Sequence, residues 1–342
     1  MARIRIDLPA ITQWITAASL RHPHDLVTQI VARTGLSRAS SHKAIKRLVD
    51  AQWLASDGTP RRPRHRPGAL RQVVQRYTLA GLQEDLPWSR DFAPHFTLPA
   101  QVARMAQHAF TELLNNAIDH SEGTSVAVSM RQTPSHVQLL VSDDGRGLFD
   151  KISEAFDIAD PALAVLELSK GKLTSQPDRH TGRGLYFSSK LADVFDLQAN
   201  ATAYQLRGWD PASSLRDRPG RRGTSVFIGI ALDTRRTLDD VLRAHSFDGA
   251  GYGFERTVVP MRLLATQNAG LESRAQARRA ALRLQQFRRA EMDFDGIADI
   301  GHGFADELFR VFKREYPNVE LVPTNMAPRV AALVGAVQAG LA

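Results

Sequence analysis

The sequence predicts a multidomain protein of mixed α/β (α+β) class, and three features support this: its length, its composition and its hydrophobic periodicity. At 342 residues, the chain is longer than one ordinary hydrophobic core supports, which suggests two or three domains. Its 43% hydrophobic and 23% charged residues are typical of a globular protein. Strand and helix patterns alternate over much of the chain, which favours layered α/β domains.

Composition also excludes some kinds of site and some classes of protein. The chain has no cysteine, so disulfides and thiolate metal ligands are excluded. It has no run of about eighteen apolar residues, and its start, MARIRIDLPA, lacks the apolar core of a signal peptide. We therefore expect a cytoplasmic protein that has no membrane partner.

The positive charge is concentrated near the N-terminus. The formal net charge of the chain is +8, and residues 1–80 hold 14 Lys and Arg against 4 Asp and Glu, a net charge of +10. The remaining 262 residues hold 30 Lys and Arg against 32 Asp and Glu, a net charge of −2. A basic region joined to a nearly neutral body is typical of a nucleic-acid-binding module attached to another component.

Residues 1–82 show helical periodicity followed by a basic segment. Gly35 is expected to end the second helix and Ser37 to cap the third. After a turn at Ser56–Gly58 come the basic segment TPRRPRHRPGALR and a strand at Val73–Leu79, so a two-stranded basic tip is expected. The helices are predicted over Leu8–Leu20, over His24–Thr34, and from Ser37 to about Ala51.

This order of helices and basic tip resembles the winged helix-turn-helix modules of bacterial regulators. The resemblance implies DNA binding, with the third helix toward a major groove and the wing arginines on phosphate or in a minor groove. The alternatives are a basic solvated face and a winged helix that contacts protein. The expected DNA-binding residues are Arg38, Ser41, His42, Lys43, Lys46, Arg61, Arg62, Arg64 and Arg66.

A helix predicted over His108–Ser121 has two opposed stripes at helical spacing. The apolar stripe, which can pack on a sheet, consists of Phe110, Leu113, Leu114 and Ala117. The polar stripe places a carboxylate, two amides and another carboxylate along one line, and it consists of Glu112, Asn115, Asn116 and Asp119. On its own, such a polar stripe is typical of a solvated surface.

Three glycine-containing segments follow this helix. Strands at Ser125–Arg131 and His136–Val141 lead into Asp144-Gly145-Arg146-Gly147, where glycines allow a close backbone approach and a carboxylate can accept a hydrogen bond from a ligand. The segment His180–Leu185 opens a helix whose N–H groups can bind phosphate. Finally, Gly223–Ser225 enters a strand. The polar stripe and these three segments follow one another in a fixed order, and together they are a stronger signal than any one of them alone.

This order resembles the GHKL superfamily of ATP-binding domains, which includes gyrase, sensor histidine kinases and the mismatch-repair ATPase. The resemblance covers residues 88–235 and implies an α/β sandwich that binds Mg-ATP. It implies that Glu112 orients or deprotonates the attacking water and that Asn116 binds the Mg²⁺ ion. It also implies that Asp144 accepts the adenine amino group, supported by Thr224.

The same resemblance gives a wider set of expected nucleotide contacts. Asn115 and Asp119 are either ligands or surface residues, and Arg183 either contacts phosphate or is solvated. The expected ATP-binding residues are Asn115, Asn116, Asp119, Asp144, Gly145, Gly147, Leu148, His180, Thr181, Gly182, Arg183, Gly184, Leu185 and Thr224.

The carboxylate at Glu112 favours a slow ATPase. The resemblance implies this because ATP-hydrolysing members and the anti-sigma serine kinases have a carboxylate there, whereas many sensor histidine kinases lack one. In addition, no clear two-helix phosphoacceptor segment precedes the domain, since the winged helix and a linker at Gln83–Pro99 occupy that part of the sequence.

Residues 250–342 alternate strands with helices, which predicts a small α/β layer domain. The segment FDGIADIGHGFADELFRVF resembles the STAS-like domain found behind GHKL domains in uncharacterised bacterial proteins. The strands are predicted at Phe254–Leu264, Arg289–Phe294 and Val319–Val322, and the helices at Glu272–Phe287, Gly303–Tyr316 and Ala327–Leu341.

The predicted strand-to-helix junction of this domain departs from the STAS pattern. STAS partners of anti-sigma kinases have a phosphorylatable serine there, whereas Ile300–Gly303 contains no hydroxyl group. His302 is either a substitute phosphoacceptor or a capping residue.

The sequence thus predicts a three-part regulator that binds DNA, ATP and Mg²⁺ and has a STAS-like sensor or protein-contact module. Its nucleotide state is expected to change dimerisation or domain packing, and hence DNA binding or partner contacts. The alternatives are a protein kinase of a partner-switching or two-component circuit and a non-enzymatic, ATP-sensing transcription factor. Whether the chain forms a homodimer is left open.

Overall fold

The computed structural model describes residues 5–59, 61–158, 160–173, 182–207, 210–265 and 270–340, with the side chains of 210–219 left out. The chain divides into two compact units. The first contains Met1–Gly145, Ala192–Leu197 and Arg222–Arg235, and the second contains Arg146–Leu191, Gln198–Arg221 and Arg236–Ala342. The architecture is mixed α/β, as predicted.

The three predicted N-terminal helices are confirmed as α1 (Leu8–Arg21), α2 (Leu26–Thr34) and α3 (Arg38–Asp50). Gly35 ends α2 in the left-handed conformation, and the Ser37 side chain caps α3 by accepting the N–H of Ser40. The apolar faces of the helices share one core that consists of Ile11, Ile15, Ala18, Leu26, Ile30, Leu36, Ala44, Ile45, Leu48 and Leu54.

The basic tip is an antiparallel hairpin of β1 (Leu54–Thr59) and β2 (Arg62–Pro67). The strand predicted at Val73–Leu79 is present as β3 (Arg71–Thr78), but it is not part of this tip. It instead forms an antiparallel pair with β4 (Ser125–Gln132), in which every residue from Arg71 to Thr78 has a partner on β4. The chain therefore enters the second sheet earlier than the sequence pattern indicated.

The second sheet has five strands in the order β3-β4-β5-β7-β6. Its remaining strands are β5 (His136–Asp143), β6 (Val194–Arg207) and β7 (Asp210–Ala231), and the first unit contains residues 194–197 of β6 and 222–231 of β7. Alternate residues of β4 and β5, such as Val128 and Leu139, are buried. Helix α4 (Ala100–His120) packs on β5 and buries its apolar stripe.

The segment predicted as a linker, Gln83–Pro99, contains local helical structure. A π-helical turn covers Pro87–Phe92, and a 3₁₀ turn follows at Ala93–His95. The rings of Trp88 and Phe92 pack on Phe110 of α4, with centroids 5.4 and 5.1 Å away. Burial of these two large rings explains why the segment folds against α4 despite its prolines.

The second unit begins with α5 (Leu148–Phe156), α6 (Pro161–Lys170), α7 (Gly184–Leu191) and α8 (Leu238–Arg243). A parallel three-stranded sheet follows in the order β10-β9-β8, which confirms the predicted α/β alternation. The strands are β8 (Arg256–Pro260), β9 (Arg289–Asp293) and β10 (Glu320–Thr324), and the helices are α9 (Arg274–Ala281), α10 (His302–Asp306), α11 (Lys313–Glu315) and α12 (Pro328–Gln338).

Two predicted elements of this region are shorter than expected. The helix predicted to run to Phe287 ends at Ala281, because Leu282 is extended and Arg283 adopts a left-handed conformation with φ of 65°. The strand predicted to reach Leu264 ends at Pro260, and the chain continues as a 3₁₀ turn.

Within the described ranges, no helix combines the length and the apolar character needed to cross a membrane.

Candidate functional site

The polar stripe of α4 is only partly accessible. Glu112, Asn115 and Asn116 are half-buried, whereas Asp119 is exposed. Among the described residues, the structure gives no side-chain hydrogen-bond partner for Glu112, Asn115 or Asn116. Polar side chains that lack a protein partner bind water or a ligand instead. These three residues, which lie within two helical turns, therefore present their oxygens and amides to solvent or to a ligand.

His108 lies one helical turn before Glu112 and was not predicted as a site residue. Its Nε2 atom is buried and has no hydrogen-bond partner among the described residues. Burial lowers the pKa of His108, while the charge of Glu112 opposes that shift. The imidazole is therefore mainly neutral at pH 7. The stripe thus begins with an uncharged ring beside a carboxylate.

Three backbone segments of the first unit meet near the end of α4. They are the loop after α4, the turn after β5, and the turn at Gly223–Thr224. The carboxylate at their centre belongs to Asp143, the last residue of β5, which is buried. Its Oδ1 atom accepts the N–H of Gly145 at 2.9 Å and the N–H of Thr224 at 3.0 Å.

The environment of Asp143 shifts its ionisation in two directions. Burial raises the pKa of Asp143, and the two backbone N–H donors from Thr224 and Gly145 oppose that rise. Among the described residues, no hydrogen bond to its Oδ2 atom is present. One oxygen is thus fixed by the backbone, and the other is left to accept a hydrogen bond from a ligand.

Asp144, which was predicted to accept the adenine amino group, is placed differently. Its Oδ1 atom accepts the N–H groups of Thr124 and Ser125 at 2.8 and 3.0 Å. Its Oδ2 atom accepts the hydroxyl groups of the same two residues, both at 2.8 Å. These bonds hold the pKa of Asp144 well below its usual value. Because both oxygens are occupied by the start of β4, Asp144 fixes the chain rather than offering a free acceptor.

Asp143 could have been found from the alternation of β5. Val137, Leu139 and Val141 are apolar at two-residue spacing, and Asp143 continues that face. The sequence reasoning took the aspartate next to the first glycine, whereas the inward position is the one before it. Asp143 is therefore a buried carboxylate at this junction that the sequence analysis did not single out.

The glycines of the junction are required by close backbone contacts. A Cβ atom at Gly145 would overlap the carbonyl oxygen of Ser121, and one at Gly223 would overlap that of Asp143. Gly223 also has a φ of 103°, which disfavours any side chain. Gly145 was expected to contact nucleotide, and its close contact within the protein is with Ser121, the residue that follows α4.

The second unit contains the remaining predicted nucleotide contacts. Gly147 has a φ of 97° and is the N-cap of α5, which begins at Leu148. Next to Gly147, the amide of Asn200 donates to the Arg146 carbonyl at 2.9 Å and to Asp150 at 2.7 Å. No local sequence signal marks Asn200, because it lies 54 residues from Arg146.

The predicted phosphate-binding segment is described from Gly182 onward. Gly182 has a φ of 63°, Arg183 is partly buried, and Gly184 is the first residue of α7, followed by Leu185. The predicted contacts His180 and Thr181 lie outside the described residues.

The predicted DNA-contacting residues separate into exposed and buried members. Ser41 is fully buried, and its hydroxyl donates to the Ser37 carbonyl at 3.0 Å, so it does not face outward as expected. Arg66 is exposed and pairs with Asp57 across the hairpin at 3.1 Å. The other exposed members are Arg38, His42, Lys43, Lys46, Arg61, Arg62 and Arg64.

Comparison with known families assigns two regions of the chain. Residues 77–207 match the histidine kinase-like ATPase domain. Residues 278–331 match a STAS-like domain of unknown function. Both matches lie in the predicted order, and the first covers the polar stripe and Asp143. A search of the curated proteins found no match to the chain.

The histidine kinase-like match supports an ATP-binding regulatory function and indicates an ATP-using activity, either kinase or ATPase. The sequence-based recognition of these two domains is confirmed.

Proposed function

We propose that the protein is a DNA-binding regulator that binds Mg-ATP and hydrolyses it slowly. One observation carries the proposal: within the region that matches the histidine kinase-like ATPase domain, Glu112, Asn115 and Asn116 are half-buried and have no protein partner among the described residues. Groups that the protein itself leaves without partners are available to a ligand.

The donor set of the polar stripe fits Mg²⁺ and a water molecule. Magnesium prefers oxygen ligands, and Asn116 offers an amide oxygen half-buried beside a carboxylate. When bound, Mg²⁺ would neutralise charge on the phosphates. Glu112, one turn before Asn116, would orient the attacking water and accept its proton. His108 lies one turn before Glu112 and is mainly neutral. It therefore adds no positive charge that would oppose transfer of the water proton to Glu112.

We assign recognition of the adenine amino group to Asp143 rather than to Asp144. The Oδ1 atom of Asp143 is held by two backbone N–H groups, which fixes the carboxylate plane and leaves Oδ2 to accept from an amino group. Thr224 supports the contact through its backbone N–H. In the second unit, we assign phosphate binding to the turn at Gly182–Leu185, because it opens a helix N-terminus.

We assign DNA binding to the basic N-terminal region. The exposed cations of α3 would face a groove, and those of the β1–β2 hairpin would contact phosphate. The net charge of +10 over residues 1–80 favours a polyanionic partner. Nucleotide state would then control DNA binding or the contacts of the STAS-like part.

The proposal is tested with the full chain and ATP labelled on the γ-phosphate. In Glu112→Gln, we expect release of labelled phosphate to fall by about 10²–10⁴-fold, because the water loses its base. Nucleotide affinity, measured by calorimetry, should stay unchanged. The matched control is Glu84→Gln, which alters an exposed carboxylate in the same matched region and should hydrolyse ATP like the wild type.

The outcomes separate the alternatives. Equal hydrolysis in the wild type and in Glu112→Gln would remove Glu112 from the mechanism. Label retained on the protein would favour a kinase, and binding without turnover would favour a pure ATP-sensing switch. No nucleotide binding at all would exclude the proposed function.

A further inference from the structure

An interior ion cluster, defined by Glu167, Lys170 and Arg283, lies inside the second unit. Lys170 is 0% exposed and Glu167 is 2% exposed. Lys170 pairs with Oε1 of Glu167, and Arg283 Nη1 donates to Oε2 of Glu167 at 3.1 Å. Each carboxylate oxygen therefore has its own cation. A buried charge is strongly unfavourable unless it is paired in this way.

The cluster also connects two chain segments through their backbones. Lys170 Nζ donates to the carbonyls of Leu282 and Arg279 at 2.9 and 3.4 Å, at the C-terminal end of α9, where the Arg279 carbonyl also accepts the N–H of Leu282 at 3.3 Å. In return, Arg283 donates to the carbonyls of Gly171, at 3.2 Å, and of Lys172. Each segment thus supplies a cation that satisfies carbonyls of the other.

A second connection is aromatic and involves α7. Phe254 packs on Tyr186 and Phe187 of α7, with ring centroids 4.7 and 5.0 Å away. On another side it packs on Phe287, at 5.4 Å. Lys172 adds a bridge, since its Nζ lies 4.5 Å from the Phe287 ring centroid and donates to the Gln286 carbonyl at 2.6 Å.

These contacts join the two regions that match different families. Glu167, Lys170 and α7 lie within residues 77–207, whereas Arg283 and Phe287 lie within residues 278–331. The ion cluster involves residues that precede Gly182–Leu185 in the sequence, and the aromatic contacts involve residues that follow it. We assigned phosphate binding to this segment. Close-packed interiors of this kind transmit displacement because they do not deform continuously.

We infer that the STAS-like region is coupled to nucleotide binding through the interior ion cluster and the Phe254 contacts. The inference rests on the proposed function, because it takes the start of α7 to contact the phosphates. Nucleotide bound at this turn stabilises α6 and α7 and, through them, the α9–β9 connection. Such coupling is reciprocal, so a partner that binds the STAS-like region changes nucleotide affinity by the same factor.

Hydrogen exchange of the full chain, with and without a non-hydrolysable ATP analogue and Mg²⁺, tests the inference. In the wild type, we expect exchange in peptides covering residues 274–288 to slow by about fivefold or more at saturation. In Arg283→Gln, nucleotide should still bind, but this slowing should be lost. The matched control is Arg310→Gln, which removes an exposed pair with Asp306 in the same region and should keep the slowing.

A milder variant covers the case in which Arg283→Gln does not fold. Thr257→Val nearly keeps the side-chain volume but removes the hydrogen bond from the Thr257 hydroxyl to the Lys170 carbonyl, at 2.7 Å, and should reduce the slowing in part. Wild-type binding with unchanged exchange over 274–288 overturns the inference and leaves the proposed function standing. A full response in both Arg283→Gln and Thr257→Val overturns the assigned route. Failure of the analogue to bind the wild type overturns the proposed function, and this inference with it.

Discussion

The polar stripe of α4 and the interior ion cluster contain similar chemical groups in opposite circumstances. In the stripe, Glu112 and Asn116 are half-buried and have no hydrogen-bond partner among the described residues. In the cluster, Glu167 and Lys170 are almost fully buried, and every charged group has a partner. The more deeply buried groups are thus the better satisfied ones.

The difference separates structural from functional polar groups. A fully buried ion must be paired by the protein, because the cost of leaving it unpaired exceeds what a marginally stable fold tolerates. A half-buried group can exchange a protein partner for water or for a ligand at a much smaller cost. Substitutions in the cluster should therefore act on stability, and substitutions in the stripe should act on ligands.

The largest effect on stability is expected for Lys170→Met. The change leaves Glu167 paired only with Arg283 and removes the donor to the α9 carbonyls, so we expect a loss of about 3–5 kcal/mol in the free energy of unfolding. Urea denaturation of both variants and the wild type measures this free energy of unfolding. Glu112→Gln, in contrast, should change stability by less than about 0.5 kcal/mol.

Two results would contradict this part of the comparison. If Lys170→Met were as stable as the exposed control Lys43→Met, the cluster would not stabilise the second unit. If Glu112→Gln were as destabilising as Lys170→Met, the stripe would have a structural role that its lack of partners does not indicate.

A smaller effect is expected for the neighbouring carboxylates Asp143 and Asp144. Asp143→Asn should weaken nucleotide binding by about 10–100-fold, equivalent to about 1.5–3 kcal/mol for a hydrogen bond to a charged group. Asp144→Asn should instead lower stability and leave nucleotide affinity unchanged, since its four donors come from Thr124 and Ser125. Calorimetric titration with ATP compares the two; equal losses of affinity would assign both to the site.

Local signals in the sequence were sufficient for much of the fold. The cap at Ser37 and the turn at Gly35 follow from side-chain chemistry, and both are present. The two-faced pattern of α4 also predicted its buried side correctly. In each case, the interacting residues lie within about one helical turn of one another, so that the pattern is visible in a short window.

The remaining features depend on contacts between distant segments. Glu167 and Arg283 lie 116 residues apart, and no periodicity relates them. The pairing of β3 with β4 places a strand in a sheet that sequence proximity did not indicate. Asp143 is an intermediate case, because its strand alternation was visible, but the choice between two adjacent aspartates required knowledge of which one faces inward.

The smallest effect concerns Ser41 and Lys43, which lie two residues apart on α3 and, like Asp143 and Asp144 at the end of β5, differ in burial. Ser41→Ala removes a buried hydrogen bond to the Ser37 carbonyl, so we expect a loss of about 0.5–1.5 kcal/mol in stability and unchanged DNA affinity. Lys43→Ala removes an exposed cation, so stability should hold, while the slope of log affinity against log salt becomes shallower by about one. Titrations of duplex DNA at several salt concentrations measure both slopes. A shallower slope in Ser41→Ala would mean that loss of this bond moves cations of α3 away from the DNA, because a neutral hydroxyl releases no counterions itself.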